Sequence, residues 1–461
     1  MTTSHAFSVR GSRVTVVGAA RSGVAAAELL VRRGARVTLT DLREQIEDET
    51  RLRNVGVALE LGGHREETLT AADLIVLSPG VPSTQPVLQA ARAGGVPVIG
   101  ELELASRWLR GRIVAITGTK GKSTTTTLTG RMLEAGGHRV LVGGNIGHAL
   151  SAQVDDSTED TIHVVEASSF QLESIDTFRP WIAALLNFSP DHLDRHADVD
   201  EYAHAKARIF ANQSRSDWAV LNGDDSASIE LAAGAVAQRL LFSMTGTLAD
   251  GIVISGQTIV RRRDGNEQAL VPLASIRLLG RHLVADVLAA AAIASLVGVG
   301  PEEMTRAVEG FSGLEHALEP VAEIGGVRFV NDSKATNIEA ARRAIESFGA
   351  GVVVITGGRF KGGDFRDLEP SLRERGAVVV AIGEARPLIR EALGDVVQVH
   401  EADSMEAAVK TAFASAAPGR TVVLAPACAS FDMFRDYVER GRTFKEEVLR
   451  LQEEWSNARE Q

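Results

Sequence analysis

The amino-acid sequence predicts an α/β protein with three consecutive domains and mainly parallel sheets. The chain has 461 residues, which suffices for about three domains of roughly 150 residues, each with its own core. Short β-branched segments alternate with apolar helical patterns along the whole chain, as is typical of parallel strands connected by helices. Two of these strands run into glycine turns, at Gly18 and Gly118, and each turn marks the start of an α/β unit.

The first predicted domain, residues 1–108, has a Rossmann-like pattern. A strand that ends at Gly18 is followed by an apolar helical pattern over 22–31 and by a second strand that ends at Asp41. A glycine or a Ser-Pro-Gly turn stops each of the later strands. The strands of this domain are predicted at 13–17, 36–40, 74–77 and 96–99.

The second predicted domain, residues 109–300, has an α/β pattern with a mainly parallel sheet, and its first strand runs into a short P-loop-type turn. Residues 240–275 within it are predicted as short strands joined by hairpins, because Asp-Gly turns interrupt the β-branched segments. The third predicted domain, residues 301–461, again alternates strands with helices and is Rossmann-like. Strands of these two domains are predicted at 112–117, 161–165, 182–186, 327–330, 352–355, 378–382 and 421–424.

Composition excludes several classes of protein. The net charge is −11, from 49 basic and 60 acidic residues without a block of like charge, which argues against nucleic-acid binding. Cys428 is the only cysteine, so an intramolecular disulfide is impossible and a reducing compartment is favoured. The N-terminal segment lacks the apolar core of a signal peptide, and the longest apolar stretch, 283–300, contains Asp286. We therefore expect a cytoplasmic protein without a membrane anchor.

The strand at 112–117 leads into a glycine loop that suits the phosphates of a nucleotide. Backbone N–H groups of such a loop bind phosphate oxygens, Lys122 can reach the β- and γ-phosphates, and Ser123 can ligate Mg²⁺. The pattern is shorter than a full P-loop, because Ile116 stands where the first glycine would be. An ordinary strand-to-helix turn is the alternative. The residues of the loop are Gly118, Thr119, Lys120, Gly121, Lys122, Ser123 and Thr124.

The turn after the first strand, from Gly18 to Gly23, has the pattern GxAxxG. Asp41 ends the next strand, where an acid that binds a ribose would lie, so the spacing suggests a dinucleotide site. Ala20 replaces the glycine that lets a backbone approach a pyrophosphate, which disfavours a nicotinamide cofactor. A glycine turn that serves only helix packing is the alternative.

Acidic, imidazole and lysine side chains gather in the central part of the second domain. Oxygen and imidazole ligands near a phosphate loop suit Mg²⁺ bound to a nucleotide. Zinc is disfavoured because the chain has neither an HExxH motif nor paired cysteines. Taken singly, each residue also fits a surface charge or a satisfied polar group. The residues are Glu166, Asp191, His192, Asp194, His196 and Lys206.

Three polar residues occupy glycine- or alanine-rich turns of the third domain. They are Lys334 in NDSKATN, Lys361 in GGRFKGGD and Ser430 in PACASFD. Turns at strand ends are where α/β folds place ligand-binding groups. Solvated loop lysines are the alternative.

Four segments give the chain a resemblance to a known family. Together with GTKGKST they resemble the Mur ligase family, and within it the branch that adds D-glutamate. The resemblance covers essentially the whole chain, and it implies an N-terminal domain for a uridine nucleotide, a central ATPase and a C-terminal domain for the amino acid. The segments are EASSFQLE at 166–173, NFSPDHLDRH at 187–196, NDSKATN at 331–337 and PACASFD at 426–432.

The resemblance implies that the chain uses ATP to join D-glutamate to UDP-N-acetylmuramoyl-L-alanine in the synthesis of peptidoglycan precursors. A carboxylate first forms an acyl phosphate, which the amine of glutamate then attacks. Matching positions imply that ATP contacts the loop 118–124 together with His316 and Asp332. They further imply that the UDP-linked substrate contacts Arg21, Ser22, Asp41, Arg43 and Asn145, and that glutamate contacts Lys334, Thr336, Lys361, Ser430 and Phe431.

The resemblance also implies two Mg²⁺ ions and a modified lysine. One ion would be held by Ser123 and Glu166 and the other by His192. Lys206 matches the lysine that is carbamylated in this family, which would turn a cation into an anionic metal ligand. Together with Lys122, the residues Glu166, His192 and Lys206 form the implied catalytic set. We expect a monomer that acts on small molecules.

Several residues depart from the family pattern near the base and phosphates of ATP. Leu283 and Asp286 stand in place of asparagines, and Ala317 stands in place of an arginine. These side chains offer fewer suitable hydrogen bonds, so the base should be held less selectively. Lys120 replaces the usual asparagine or serine and adds a cation near the phosphates. The alternatives are a related ligase that adds L-glutamate or another amino acid, and an inactive nucleotide-binding regulator.

Overall fold

The computed structural model describes residues 7–191, 195–277, 281–311 and 313–460. The chain divides into two compact units, one of Met1–Ile276 with His282–Gly310 and the other of Arg277–Arg281 with Phe311–Gln461. Three separate sheets lie within these units, and most of their strands are parallel. The predicted α/β class is therefore confirmed. The domain boundaries after residues 108 and 300 stay predictions.

The first sheet is wholly parallel and has a Rossmann-like arrangement. Its strands are β1 (Arg13–Val17), β2 (Arg36–Asp41), β3 (Ala58–Leu61), β4 (Leu74–Leu77) and β5 (Val98–Gly100). They follow the order β3-β2-β1-β4-β5. The connecting helices are α1 (Arg21–Arg32), α2 (Glu49–Asn54), α3 (Glu66–Thr70), α4 (Pro86–Ala93) and α5 (Glu101–Ser106).

The second sheet has nine strands in the order β14-β13-β12-β11-β10-β9-β6-β8-β7. The strands are β6 (Arg112–Thr117), β7 (Arg139–Gly144), β8 (Thr161–Glu166), β9 (Ile182–Leu185), β10 (Trp218–Asn222), β11 (Gln238–Ser243), β12 (Gly251–Ser255), β13 (Thr258–Arg263) and β14 (Asn266–Pro272). Pairing is parallel from β7 to β12, while β12, β13 and β14 form antiparallel hairpins. The hairpin expected at Asp264-Gly265 is therefore confirmed, whereas Asp250-Gly251 precedes β12, which pairs with β11 in parallel, and the other hairpin turns at Gly256.

The helices between β6 and β11 connect parallel strands, and the later ones follow β14. They are α6 (Lys122–Ala135), α7 (Ser169–Leu172), α8 (Val199–Ala207), α9 (Ser226–Leu231), α10 (Arg281–Val297) and α11 (Pro301–Glu309). The long apolar stretch lies in α10, whose residues Val287 to Ala294 are all fully buried. No described helix is both long and apolar enough to span a membrane.

The third sheet has the order β15-β16-β20-β17-β18-β19 and is parallel except for the pair β15 and β16. Its strands are β15 (Glu319–Ile324), β16 (Val327–Asn331), β17 (Val353–Gly357), β18 (Val378–Ile382), β19 (Gln398–Glu401) and β20 (Thr421–Leu424). Its helices are α12 (Ile338–Glu346), α13 (Glu369–Glu374), α14 (Arg386–Leu393), α15 (Met405–Ser415) and α16 (Tyr437–Glu460). The Rossmann-like prediction for this region is confirmed.

The topology places the functional motifs at the carboxyl ends of neighbouring strands. In the second sheet β6 lies between β8 and β9, so the glycine loop, Glu166 and the segment after β9 meet at one edge. In the third sheet β20 lies between β16 and β17, so the three turns that follow these strands also meet. Ligands of open parallel sheets bind at such edges.

Candidate active site

The glycine loop after β6 requires glycine for two reasons at Gly121. Its φ of +81° is left-handed, a conformation that costs L residues energy. A Cβ atom at this position would also lie only 2.1 Å from Oδ1 of Asp286. The backbone can therefore turn into α6 only because residue 121 has no side chain.

We predict that Gly121→Ala is more harmful than the same change at Gly137. Gly137 also has a left-handed φ, of +83°, but a Cβ there would meet nothing within 4 Å. Gly137→Ala should lower the free energy of unfolding by about 1–2 kcal/mol, the usual cost of that backbone conformation. Gly121→Ala should lower the free energy of unfolding by more, because Asp286 must also move. This variant should also bind ATP poorly. Equal losses in denaturant titrations of the two variants would refute the steric argument.

Asn187 fixes the loop in place from the end of the neighbouring strand β9. The N–H of Lys120 donates to Oδ1 of Asn187 at 2.8 Å, and Nδ2 of Asn187 donates to the carbonyl of Lys120 at 3.1 Å. The N–H of Thr119 donates to the carbonyl of Asn187 at 3.0 Å. These bonds fix the backbone of the loop, which favours binding of an anion. The sequence marks Asn187 only as part of the segment 187–196, so this contact was not predicted.

Two lysine side chains converge on the carbonyl of Gly118. Nζ of Lys122 donates to it at 2.9 Å and to the carbonyl of Thr119 at 3.0 Å. Nζ of Lys206, from α8, donates to the same Gly118 oxygen at 2.8 Å. Lys206 is 1% exposed, and burial together with the charge of Lys122 lowers its pKa well below the usual value. The structure thus brings together two residues of the implied catalytic set.

Glu166 ends β8 beside the loop and is 2% exposed. One carboxylate oxygen, Oε1, accepts a hydrogen bond from Nδ2 of Asn145 at 2.7 Å. The other, Oε2, is buried and has no hydrogen-bond partner among the described residues. A buried carboxylate oxygen in that state is suited to a cation. Asn145, which was expected to contact substrate, is here a partner of Glu166.

The segment after β9 supplies an acid and an aromatic cluster. Nζ of Lys120 lies 3.1 Å from Oδ2 of Asp191. His196 is buried, packs near the rings of Phe170 and Tyr202, and has Nε2 3.0 Å from the hydroxyl of Ser169. The predicted metal ligand His192, together with Asp194, lies outside the described residues.

The carboxylate of Asp41 binds the backbone of the turn after β1. The carboxylate of Asp41 accepts from the N–H of Ala19 at 2.6 Å and from the side chain of Arg43 at 2.8 and 3.0 Å. The Arg43 guanidinium holds the pKa of Asp41 well below its usual range. Nη1 of Arg21, the first residue of α1, donates to the carbonyl of Gly147 at 3.3 Å, and the next residue, Ser22, is partly exposed.

The packing role of the GxAxxG glycines is also visible. A Cβ at Gly23 would lie 1.8 Å from the carbonyl oxygen of Gly18, so helix α1 packs directly on the turn. Gly18 has a φ of +95°, and a Cβ there would lie 2.7 Å from Val81 and 2.9 Å from Ser78. The turn therefore satisfies the packing alternative, and a ligand is not needed to explain its glycines.

In the second unit, the expected glutamate-binding residues lie on adjacent turns. Lys334 and Thr336 follow β16, Lys361 follows β17, and Ser430 and Phe431 follow β20. The N–H of Ala427 donates to the carbonyl of Ala335 at 2.9 Å, and Arg359 and Ala429 pair through their backbones, which ties the three turns together. Lys334 and Lys361 are exposed, Phe431 is 63% exposed and Ser430 is buried.

His316 and Asp332 also lie close together in this unit. His316 is buried with a φ of +65°, its carbonyl accepts from the N–H of Lys334 at 3.0 Å, and Nδ2 of Asn331 donates to its Nδ1 at 2.9 Å. The carboxylate of Asp332 accepts from the N–H of Leu318 at 3.1 Å. Burial lowers the pKa of His316 and raises that of Asp332 to about 7.

We predict that Asp332 makes stability fall as the pH rises from about 4 to about 7. An unfolded chain releases this proton near 3.8, the ordinary pKa of an aspartate, whereas the folded chain releases it only near a pKa of about 7, so the stability contribution present at low pH is lost over that window. Asp332→Asn should remove this loss, which amounts to roughly 4 kcal/mol. Urea titrations should show a difference between the two proteins that grows with pH. A difference independent of pH would contradict the assignment.

Arg440 connects the turns after β16 and β20 and was not predicted. It is 1% exposed within α16, and Nε and Nη2 donate to the hydroxyl and carbonyl of Ser333 at 3.0 and 2.8 Å. Nη1 donates to the carbonyl of Cys428 at 3.1 Å. Burial lowers the pKa of Arg440 to about 10. The guanidinium therefore fixes the turns after β16 and β20 relative to each other.

Comparisons with protein families give one consistent result along the chain. A model described as the Mur ligase middle domain matches residues 116–294. A model described as the Mur ligase MurD-like N-terminal domain matches residues 12–100, and one described as the Mur ligase glutamate ligase domain matches residues 318–428.

Named relatives match over nearly their whole length. The chain is 46% identical over 457 residues to a UDP-N-acetylmuramoylalanine–D-glutamate ligase of Acidobacterium capsulatum, which covers 98% of this chain and 99% of the relative. It is 45% identical over 449 residues to the protein of the same name from Koribacter versatilis. That match covers 97% of this chain and 99% of the relative.

Solved structures share the fold at low sequence identity. The UDP-N-acetylmuramate-alanine ligase MurC of Thermotoga maritima has a TM-score of 0.59 at 19% identity and covers 95% of this chain and 99% of its own. The MurF ligase of Thermotoga maritima in complex with ADP has a TM-score of 0.57 at 16% identity, with 96% of each chain covered. These likenesses show the fold.

Proposed function

Because the chain belongs to the Mur ligase family, we propose that it uses ATP to join D-glutamate to UDP-N-acetylmuramoyl-L-alanine. The observation that carries this proposal is the preformed phosphate loop at 118–124 in a chain that is 46% identical, end to end, to a ligase of that name. The ADP complex of a structurally similar ligase supports ATP as the nucleotide. We also propose a cytoplasmic, monomeric enzyme.

Positive charge at the loop supports binding of a triphosphate. The amides of the loop and the N-terminus of α6 are arranged for phosphate oxygens, and Lys122 lies within the same turn. Two anions, ATP and the carboxylate of the UDP-linked substrate, must approach each other for reaction. Fixed cations lower the energy of that encounter and of the transition state.

The residues near the loop fit Mg²⁺ in part. The buried Oε2 of Glu166 has no hydrogen-bond partner among the described residues, and Ser123 occupies the position of a P-loop Mg²⁺ ligand. We propose that these two residues hold one ion and that His192 and a modified Lys206 hold a second. When bound, such ions would neutralise phosphate charge and align the transferred group.

Lys206 as an ammonium does not suit a metal, but its surroundings favour carbamylation. Formation of a carbamate requires a neutral amine, which attacks CO₂ and releases a proton. Burial and the nearby Lys122 lower the pKa of Lys206 and so increase the neutral fraction. The carbamate then supplies oxygens, which a hard cation prefers.

We propose two chemical steps. A carboxylate oxygen of the lactyl-alanine arm attacks the γ-phosphorus of ATP, and the bond from that phosphorus to the bridging oxygen breaks. The products of this step are ADP and an acyl phosphate. The amine of glutamate then attacks the acyl carbon, and the tetrahedral intermediate expels phosphate as the amide forms and the nitrogen loses a proton. The residues around the loop would orient the first step and stabilise the charge that develops in it.

Substrate recognition is proposed at the edges of the other two sheets. Arg21, Ser22, Asp41 and Arg43 lie at the turns after β1 and β2, which supports contact with a UDP group, and Asn145 lies beside Glu166. Lys361, Lys334, Thr336 and the hydroxyl of Ser430 suit the two carboxylates of glutamate. Phe431, which is largely exposed, completes that turn.

A phosphate-release assay tests the proposal. The chain should release phosphate only when the UDP-linked acid, ATP, Mg²⁺ and D-glutamate are all present. The panel should include L-glutamate, L-alanine and diaminopimelate. Turnover with L-glutamate but none with the D-form would overturn the assignment of substrate. ATP hydrolysis at the same rate with and without the UDP-linked acid would contradict the proposed ligase activity.

A further inference from the structure

Lys120 is a cation of the phosphate loop that the proposed steps leave without a role. Its Nζ lies 3.1 Å from Oδ2 of Asp191, and the two side chains are 26% and 25% exposed. The main chain of Lys120 is held on both sides by the amide of Asn187. A change of partner at this residue therefore needs only the side chain to move.

Two other lysines lie near this cation and are engaged differently. Lys122 donates to the carbonyls of Gly118 and Thr119, and Lys206 of α8 donates to that of Gly118 from a buried position. A carbamylated Lys206 would add negative charge rather than positive charge. Of these two lysines, only Lys122 would then add positive charge to that of the proposed Mg²⁺ ions, so the ammonium of Lys120 would help to neutralise the nucleotide.

Lys120 lies in the part of the loop that precedes the helix. The α- and β-phosphates of a nucleotide rest on the amides at the start of the helix. The backbone of Lys120 is bonded to Asn187, which follows β9, and its side chain pairs with Asp191 farther along the same segment. A third phosphate that extends beyond those amides would come within reach of this ammonium.

We propose that Lys120 is a further phosphate-binding residue, whose ammonium exchanges Asp191 for an oxygen of the γ-phosphoryl group when ATP binds. This inference rests on the proposed ATP-dependent reaction. Partly exposed ion pairs contribute little to stability, whereas an ammonium on a phosphoryl oxygen makes a strong charge-assisted bond. Asp191 keeps the side chain beside the loop before ATP arrives, which reduces the entropy lost on binding.

The test compares a non-hydrolysable ATP analogue with ADP, both with Mg²⁺, by calorimetry. Lys120→Gln should lower the affinity for the analogue about tenfold and the affinity for ADP by less than about twofold, because only the analogue has a γ-phosphoryl group. Lys120→Arg keeps the charge and should recover most of the affinity for the analogue. Lys410→Gln removes an exposed, ion-paired lysine of α15 and should change neither affinity.

Thermal unfolding of the same proteins separates binding from folding. Equal losses for the analogue and ADP, or no loss for either in a folded Lys120→Gln protein, would overturn the inference and leave the proposed ligase intact. A loss of analogue affinity that Lys120→Arg does not recover would also count against it. If the unaltered chain binds neither nucleotide, the proposed function itself fails.

Discussion

Lys122→Ala is expected to lower the turnover number by about a thousandfold or more, while affinity for the UDP-linked substrate changes little. Lys122 starts α6 and its Nζ lies within the phosphate loop, so its loss removes a fixed cation from the transferred phosphoryl group. The proposed UDP contacts Asp41 and Arg43 belong to a different sheet, where they bind each other and the turn after β1. Steady-state kinetics and calorimetry on one preparation measure both quantities.

The control for this variant is Lys445→Ala. Lys445 lies on α16 and forms ion pairs with Glu315 and Glu319. Its replacement therefore removes an ion-paired lysine outside the proposed phosphate site. Turnover of this control should stay within about twofold of the unaltered protein, as for most surface substitutions. Loss of both turnover and UDP-substrate binding in Lys122→Ala would contradict the division of the two sites.

Lys206→Ala is expected to be nearly inactive and to recover partly when small carboxylic acids are added. The side chain is buried against Tyr202 and the loop, so truncation leaves a gap beside the carbonyl of Gly118. If Lys206 acts as a carbamate, formate or acetate in that gap can supply the missing oxygens. Turnover should rise with acid concentration and saturate.

Methylamine serves as the matched cation in the same rescue experiment. Recovery with methylamine but not with acetate would show that Lys206 acts as an ammonium, and the carbamate proposal would fall. Full activity of Lys206→Ala without any addition would exclude an essential role. Thermal unfolding of the variant in each additive checks that recovery does not reflect refolding.

Much of the fold followed from local sequence patterns. The strands β1, β4, β6, β18 and β20 have the bounds expected from their β-branched segments, because these parallel strands are largely buried and consist mostly of apolar or β-branched residues. The edge strands β3, β7, β15 and β19 and the central strand β10 were not predicted. The sequences of β3 and β19, ALEL and QVHE, mix polar and apolar residues, since an edge strand is only half covered.

The candidate site was predictable in its residue types but not in its contacts. The pattern GTKGKST predicts a phosphate loop, since glycine, lysine and serine each have a mechanical role there. The clamp of Asn187 on this loop depends on β9 lying beside β6, which local sequence does not encode. Asp286 was assigned near the base or phosphates of ATP, and the structure places its buried carboxyl against Gly121.

The contacts of Arg440 were even less predictable from local sequence. The helix α16 is rich in charged residues, a composition typical of a solvated surface, and Arg440 has no local feature that marks it as buried. Its burial follows from the packing of α16 against the sheet, which brings its guanidinium to Ser333 and Cys428. The reduced selectivity expected for the base of ATP, from Leu283, Asp286 and Ala317, stays a prediction.

Mass spectrometry of one reaction with a heavy-oxygen label in the substrate carboxylate tests the central claim most directly. The mixture contains labelled UDP-N-acetylmuramoyl-L-alanine, ATP, Mg²⁺ and D-glutamate. The account predicts a product heavier by one glutamyl residue and a released phosphate that carries one labelled oxygen, because the attacking carboxylate oxygen leaves with the phosphoryl group. Unlabelled phosphate would contradict the acyl-phosphate route, and absence of the glutamyl product would contradict the ligase.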